Sequence, residues 1–182
     1  IMLKIKFETL KYEQKIKIDE TLDWKEIEVE GEIYPYSTTV KVDLNVELSL
    51  GRTYVQGTVK TQIIHPCDRC LEPVKLDING NVDAVYIPNE KVKEVEEITD
   101  EIGTFYYDPH IEFLDLTDRV IEAIILEIPM KVLCKPDCKG LCPHCGINLN
   151  EHPDHVCDYE EDKNESPFYV LKKKISFEPK GE

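Results

Sequence analysis

Five of the seven cysteines in this chain fall between Cys134 and Cys157, with His144, His152 and His155 between or beside them. A thiolate binds Zn2+ at about 2.3 Å, and four donors must converge on a tetrahedron, so closely spaced cysteines on tight turns suit that task. Cys142-Pro-His-Cys145-Gly is the sharpest fragment. Its two intervening residues let both thiols reach one ion, Pro143 presets φ inside the turn, and Gly146 supplies the positive φ by which the chain leaves it. Cys134 and Cys138 are the natural second pair, which gives Cys134, Cys138, Cys142 and Cys145 as the expected ligand set within one twelve-residue segment. A second Cx2C, Cys67-Asp-Arg-Cys70, lies far upstream and competes as the partner of Cys142 and Cys145. His155 and Cys157 are further candidate ligands. The competing reading of the same residues is a set of reduced cysteines on surface turns.

Seven is an odd number of cysteines, the chain is not short, and no secretory signal pattern is read at its start, so a disulfide framework is not expected. The expected compartment is reducing and cytoplasmic. A thioredoxin-like Cx2C follows a strand and opens a helix within a βαβ pattern, where the helix N-terminus lowers the thiol pKa; neither pair has that context. No Gly-rich phosphate cradle, nucleophile elbow or HExxH pattern is present. A site closed by thiolates is structural, so the chain is expected not to be an enzyme. A thiol redox or metal-handling protein using the Cx2C pairs is the alternative.

These turns need a scaffold. Val40, Val42, Leu44, Val46, Leu48 and Leu50 alternate with polar residues, and Val55, Gly57, Val59, Thr61 and Ile63 repeat the pattern after a turn at Gly51-Arg52. A third strand runs through Val74, Leu76, Ile78, Val82, Ala84 and Tyr86, bent or bulged at Asn79-Gly80. Pro66 and Pro73 bracket the upstream Cx2C and lack the donor a ladder needs, which places Cys67 and Cys70 on a loop at the end of the sheet. Asp68 and Arg69 between them are expected to be solvated charges. The segment before this sheet reads as a short strand, a linker and a mixed stretch, with Trp24 as a core or lid aromatic.

Leu116, Val120, Ile121, Ile124, Ile125 and Ile128 fall on one face of a helix capped by Asp115 and stopped by Pro129. The expected class is therefore α+β: an antiparallel β-meander packed by an amphipathic helix, with a Cys-rich, zinc-knuckle-like C-terminal segment. Residues 1–130 form the core, with an acidic connector at 88–103. Residues 131–182 form the metal segment and end in a short helix from Ser166-Pro167, with Lys172 to Lys174 at its C-terminal end. No run of about 18 apolar residues exists, so no membrane span is expected. The formal charge of −15 repels nucleic acid phosphates and favours a basic protein partner or plain solubility.

Several motifs together carry a resemblance: Cys67-Asp-Arg-Cys70-Leu-Glu-Pro at a hairpin end, an acidic connector, Ile128-Pro-Met-Lys131, Cys138-Lys-Gly-Leu-Cys142-Pro-His-Cys145-Gly-Ile-Asn-Leu-Asn150, and a late Ser-Pro-Phe168. The chain resembles the bacterial YceD family from about Gly31 to Leu171. That resemblance implies a non-enzymatic role in accumulating large-subunit ribosomal RNA. The expected partner is a ribosomal protein or a large-subunit assembly intermediate; direct RNA contact is left open.

Overall fold

The computed structural model describes residues 2–89, 103–108 and 110–157. In chain order the elements are β1 (Lys4–Lys6), α1 (Phe7–Glu13), β2 (Lys15–Leu22), β3 (Glu26–Val29), β4 (Glu32–Pro35), β5 (Val40–Ser49), β6 (Arg52–Pro66), β7 (Pro73–Pro88), β8 (Thr104–Tyr107), β9 (Phe113–Asp115) and α2 (Thr117–Leu126). The class is α+β. A five-stranded sheet has the order β2-β5-β6-β7-β8, while β1 pairs with β9 and β3 with β4. All these pairings are antiparallel except β7 with β8, which is parallel, so the main sheet is mixed.

The alternation read in the sequence is what makes the sheet one-sided. Val40, Val42, Leu44 and Val46 are buried, as are Val55, Val59 and Ile63 on β6 and Ile78, Val82 and Ala84 on β7; Lys41, Asp43 and Asn45 between them face solvent. Helix α2 covers the buried face with Val120, Ala123 and Ile124. The sequence suggested a bend or bulge at Asn79-Gly80, but the β6–β7 register runs unbroken from Thr53 opposite Tyr86 to Pro66 opposite Pro73. Gly80 instead admits the helix: a Cβ there would lie 2.3 Å from the Ala123 carbonyl oxygen.

Helix α2 begins and ends inside its expected bounds. Leu116 takes the N-cap position, and the Asp115 carboxylate accepts a hydrogen bond from the Thr117 N–H at 2.9 Å. At the other end, Glu127 N–H donates to Ile124 O and Ile128 N–H to Ile125 O, tightening the chain into a 3₁₀-type turn before Pro129. Helix α1 replaces the expected linker. Phe7 and Leu10 are its buried residues, and Gln14 closes it at φ 65° by donating to Leu10 O. Trp24 packs against the core beside Tyr36, with ring centroids 6.3 Å apart. The β5–β6 turn is centred on Leu50-Gly51, with Ser49 opposite Arg52, one residue earlier than expected. Most of the acidic connector and the expected terminal helix from Ser166 lie outside the described residues. Among the described residues no helix is long and apolar enough to cross a membrane.

Candidate metal centres

Pro66 opposite Pro73 is the last rung of the β6–β7 ladder, and the chain turns through Cys67-Asp-Arg-Cys70-Leu-Glu72 beyond it. Two backbone bonds fix that turn: Cys67 N–H donates to Glu72 O at 2.8 Å, and Leu71 N–H donates to Cys67 O at 2.9 Å, with Leu71 at φ 61°. Cys142-Pro-His-Cys145-Gly146 repeats the motif, with Gly146 N–H donating to Cys142 O at 2.9 Å and Gly146 at φ 74°. The two Cx2C segments are thus the same knuckle built twice, once on the sheet and once on the tail.

The chain leaving α2 runs past the first knuckle and is tied to it by three residues. Asp68 and Val132 bond reciprocally: Asp68 N–H donates to Val132 O at 2.9 Å, and Val132 N–H donates to the Asp68 carboxylate at 2.7 Å. The Arg69 guanidinium donates to Cys138 O at 2.7 Å, and Leu141 N–H donates to Arg69 O at 3.1 Å. Asp68 and Arg69 are exposed, as expected of solvated charges, and they also clamp the two segments together. Gly140, at φ 78°, lets this strap approach, since a Cβ there would lie 3.0 Å from Arg69 O.

These clamps bring Cys67, Cys70, Cys134 and Cys138 together, with all four sulfurs within 4.8 Å of one another. Cys67 and Cys138 Sγ lie 3.8 Å apart, and Cys70 and Cys134 Sγ lie 3.5 Å apart. Four thiolates on one Zn2+ at about 2.3 Å would stand roughly 3.8 Å apart, so the sulfur spacing fits a tetrahedral thiolate site. All seven cysteines are free. Cys67, Cys70 and Cys138 are buried, Cys67 with no exposed surface, and only Cys134 is open to solvent. Such burial suits a closed structural centre and not a thiol that must meet a protein disulfide.

The second cluster comprises Cys142, Cys145, His155 and Cys157. Cys145 Sγ lies 3.1 Å from His155 Nε2. A small closed loop holds it: Cys142 N–H donates to Ile147 O and Leu149 N–H to Gly140 O. Asn150 joins the two clusters, its amide accepting from Lys139 N–H at 2.9 Å and donating to Cys138 Sγ at 3.3 Å.

The expected set Cys134, Cys138, Cys142 and Cys145 is therefore divided between two clusters. Cys134 and Cys138 face Cys67 and Cys70, while Cys142 and Cys145 face His155 and Cys157. The division arises because Asp68 and Arg69 hold the strap on the sheet tip, whereas the second knuckle closes on its own tail.

The thiols ionise unevenly. Cys67 and Cys138 are lowered in the first cluster, and Cys142 in the second. Burial pushes Cys138 up, but the Asn150 amide and the Gly140 N–H outweigh it. Burial pushes Cys67 up, but N–H groups of Arg69, Cys134 and Cys70 aimed at its sulfur outweigh that and bring it to about 6. Cys142 is also brought to about 6, by the N–H groups of Cys145 and His144. Although Cys134 is open to solvent as a residue, desolvation around its sulfur and the neighbouring sulfurs push it up to about 12, and the same causes push Cys157 up to about 11. Crowded thiols of which some ionise while others stay protonated are what a cation would relieve, since metal binding expels the remaining protons.

A family model described as "Large ribosomal RNA subunit accumulation protein YceD" matches residues 55–173, which takes in both clusters. An uncharacterized protein of Mycobacterium tuberculosis is 36% identical over 115 residues, 63% of this chain and 53% of that protein. "Large ribosomal RNA subunit accumulation protein YCED homolog 1, chloroplastic" of Arabidopsis thaliana is 25% identical over 165 residues, 78% of this chain and 51% of that protein. Its namesake in Zea mays is 29% identical over 144 residues, covering 66% and 49%. The chain spans about half the length of the curated relatives it matches. No solved structure matches it.

Proposed function

The chain belongs to the YceD family of large ribosomal RNA subunit accumulation proteins, and from that membership we propose that it promotes accumulation of large-subunit ribosomal RNA without catalysing a reaction. It acts in the cytoplasm by binding a basic ribosomal protein or an assembly intermediate that contains one. The observation that supports this best is the match across residues 55–173, which takes in β7, β8, most of β6, helix α2 and both knuckles. A charge of −15 suits a basic protein partner and disfavours a phosphate backbone.

Zinc is the metal this donor chemistry fits. Cys67, Cys70, Cys134 and Cys138 would hold one ion, and Cys142, Cys145, His155 and Cys157 a second. Four protein donors complete a tetrahedron, and the ion would contribute folding energy rather than a reactive water. The sheet tip and the strap after α2 would then form one rigid surface. This reading differs from thiol redox chemistry in a simple assay: the purified protein should not reduce insulin disulfides, with or without Cys67→Ser and Cys70→Ser.

The functional test is a pull-down from cell extract with and without nuclease, paired with rRNA quantification in a strain lacking the gene. Ribosomal proteins retained after nuclease treatment, together with depleted large-subunit rRNA in the deletion strain, support the proposal. Capture that disappears with the RNA would replace the protein partner by RNA. Normal rRNA in the deletion strain would overturn the function altogether.

A further inference from the structure

Beside the first knuckle, an apolar groove of ≈ 420 Å³ lies between the β3–β4 hairpin and the chain leaving α2, within the ~300–1,000 Å³ usual for ligand clefts. Tyr34 and His65 form one side, their rings stacked at 4.5 Å and 12°. Ile128 and Met130 form the other, and Met130 is fully exposed at 106%. A long unbranched thioether held in water beside a groove is an adaptable contact surface, and it brings no stability to the free protein.

The rim is acidic. Glu30 and Glu32 line the groove, and among the described residues no lysine or arginine does. The Tyr34 hydroxyl donates to the Glu32 carboxylate at 2.5 Å. That bond, then burial, then the charges of Glu32, Asp68 and Glu30 hold the phenol up at about 12, so three carboxylates act on this one spot. Anionic ligands are disfavoured here, nucleic acid and lipid headgroups included. A second copy of a chain of charge −15 is disfavoured too.

We propose that this groove is the docking site for a basic protein segment that seats an apolar side chain between Tyr34 and Met130 and places lysine or arginine against Glu30 and Glu32. This deepens the ribosomal reading and rests on it for the source of the segment; the groove itself is argued from its apolar walls and acidic rim. Met130 stands two residues before Val132, whose two bonds to Asp68 fix that wall to the sheet.

The probes are synthetic 15-residue peptides tiling the basic large-subunit ribosomal proteins, titrated into the full chain while the Met130 methyl signal is followed by NMR. Peptides with an apolar residue flanked by lysine or arginine should bind and shift that signal. Glu30→Lys/Glu32→Lys should weaken them at least about tenfold, as should Met130→Asp, a change at a side chain too exposed to disturb folding. Glu13→Lys/Glu20→Lys makes the same change in net charge away from the groove and should leave affinity within about twofold. Equal binding of oligolysine, unchanged binding by the groove variants, or a Met130 shift caused by an rRNA fragment would each overturn the groove. In cells, full rescue of rRNA by Glu30→Lys/Glu32→Lys would overturn it while leaving the family function standing. Normal rRNA in the deletion strain would overturn the ribosomal reading instead, and peptide binding in vitro would still support the groove.

Discussion

The proposed division of eight candidate ligands into two metal centres can be tested by changing one cysteine at a time. Cys70 and Cys134 lie 64 residues apart in sequence, and Cys67 and Cys138 lie 71 apart. Closing a loop of that length restricts the unfolded chain by about 4 kcal/mol. In a chain of this size each kcal/mol shifts Tm by roughly 2–4 °C, so losing the cross-link should lower Tm by about 8–16 °C. Cys70→Ser should therefore halve the metal content from two equivalents to one and lower the main thermal transition by that amount. Cys145→Ser should also remove one equivalent, but its centre draws all its donors from Cys142 to Cys157, so the main transition should move by only a few degrees. Elemental analysis of protein purified without chelator, with calorimetry on the same samples, reads both quantities. If the wild type holds one equivalent, lost equally on Cys134→Ser and Cys145→Ser and unaffected by Cys70→Ser, the two-centre arrangement is wrong.

Three further outcomes follow from particular positions. Cys67 and Cys142 have folded pKa values of about 6, below the ordinary thiol value, so their thiolates contribute stability that is full above that ordinary value and lost as pH falls through about 6. Metal followed with a chromophoric indicator should accordingly be retained at pH 7.5 and released at or below about pH 6; release already complete at pH 7.5 would contradict those values. Gly80→Ala should destabilise by about 2–3 kcal/mol in urea, because its Cβ would meet the Ala123 carbonyl backbone; a loss under about 0.5 kcal/mol would mean α2 is not seated as described. Leu50→Asn should stabilise by about 0.5–1 kcal/mol in the same assay, because Leu50 sits at φ 50° in the β5–β6 turn and is 91% exposed; destabilisation would refute the turn geometry.

The main strands could be read from sequence because their period-two burial is a local property: residues 40 to 46 bury every other side chain and no distant contact is needed to see it. The prolines at 66 and 73 likewise placed the first knuckle at the end of a ladder. Helix α1 was hidden because it is short and buries only Phe7 and Leu10, and because Gln14, not glycine, takes the left-handed closing position. At Gly80 the sequence showed a strand-interrupting residue, but its use depends on Ala123, more than forty residues away. The candidate ligand residues all stood out in the sequence, yet their grouping did not. Spacing constrains only neighbours in sequence, and Cys134 and Cys138 are carried to Cys67 and Cys70 by Asp68 and Arg69, whose bonds to Val132 and Cys138 leave no local trace.

The two knuckles differ in when their sulfurs can meet. Cys142, Cys145, His155 and Cys157 are close enough along the chain to capture an ion while everything upstream is still unstructured. Cys67 and Cys70 lie at the tip of the β6–β7 pair and Cys134 and Cys138 on the chain beyond α2, so their meeting depends on contacts distant in sequence. An ion at the second cluster would therefore need only a short stretch of chain, whereas an ion at the first would need the sheet tip and the strap already in place.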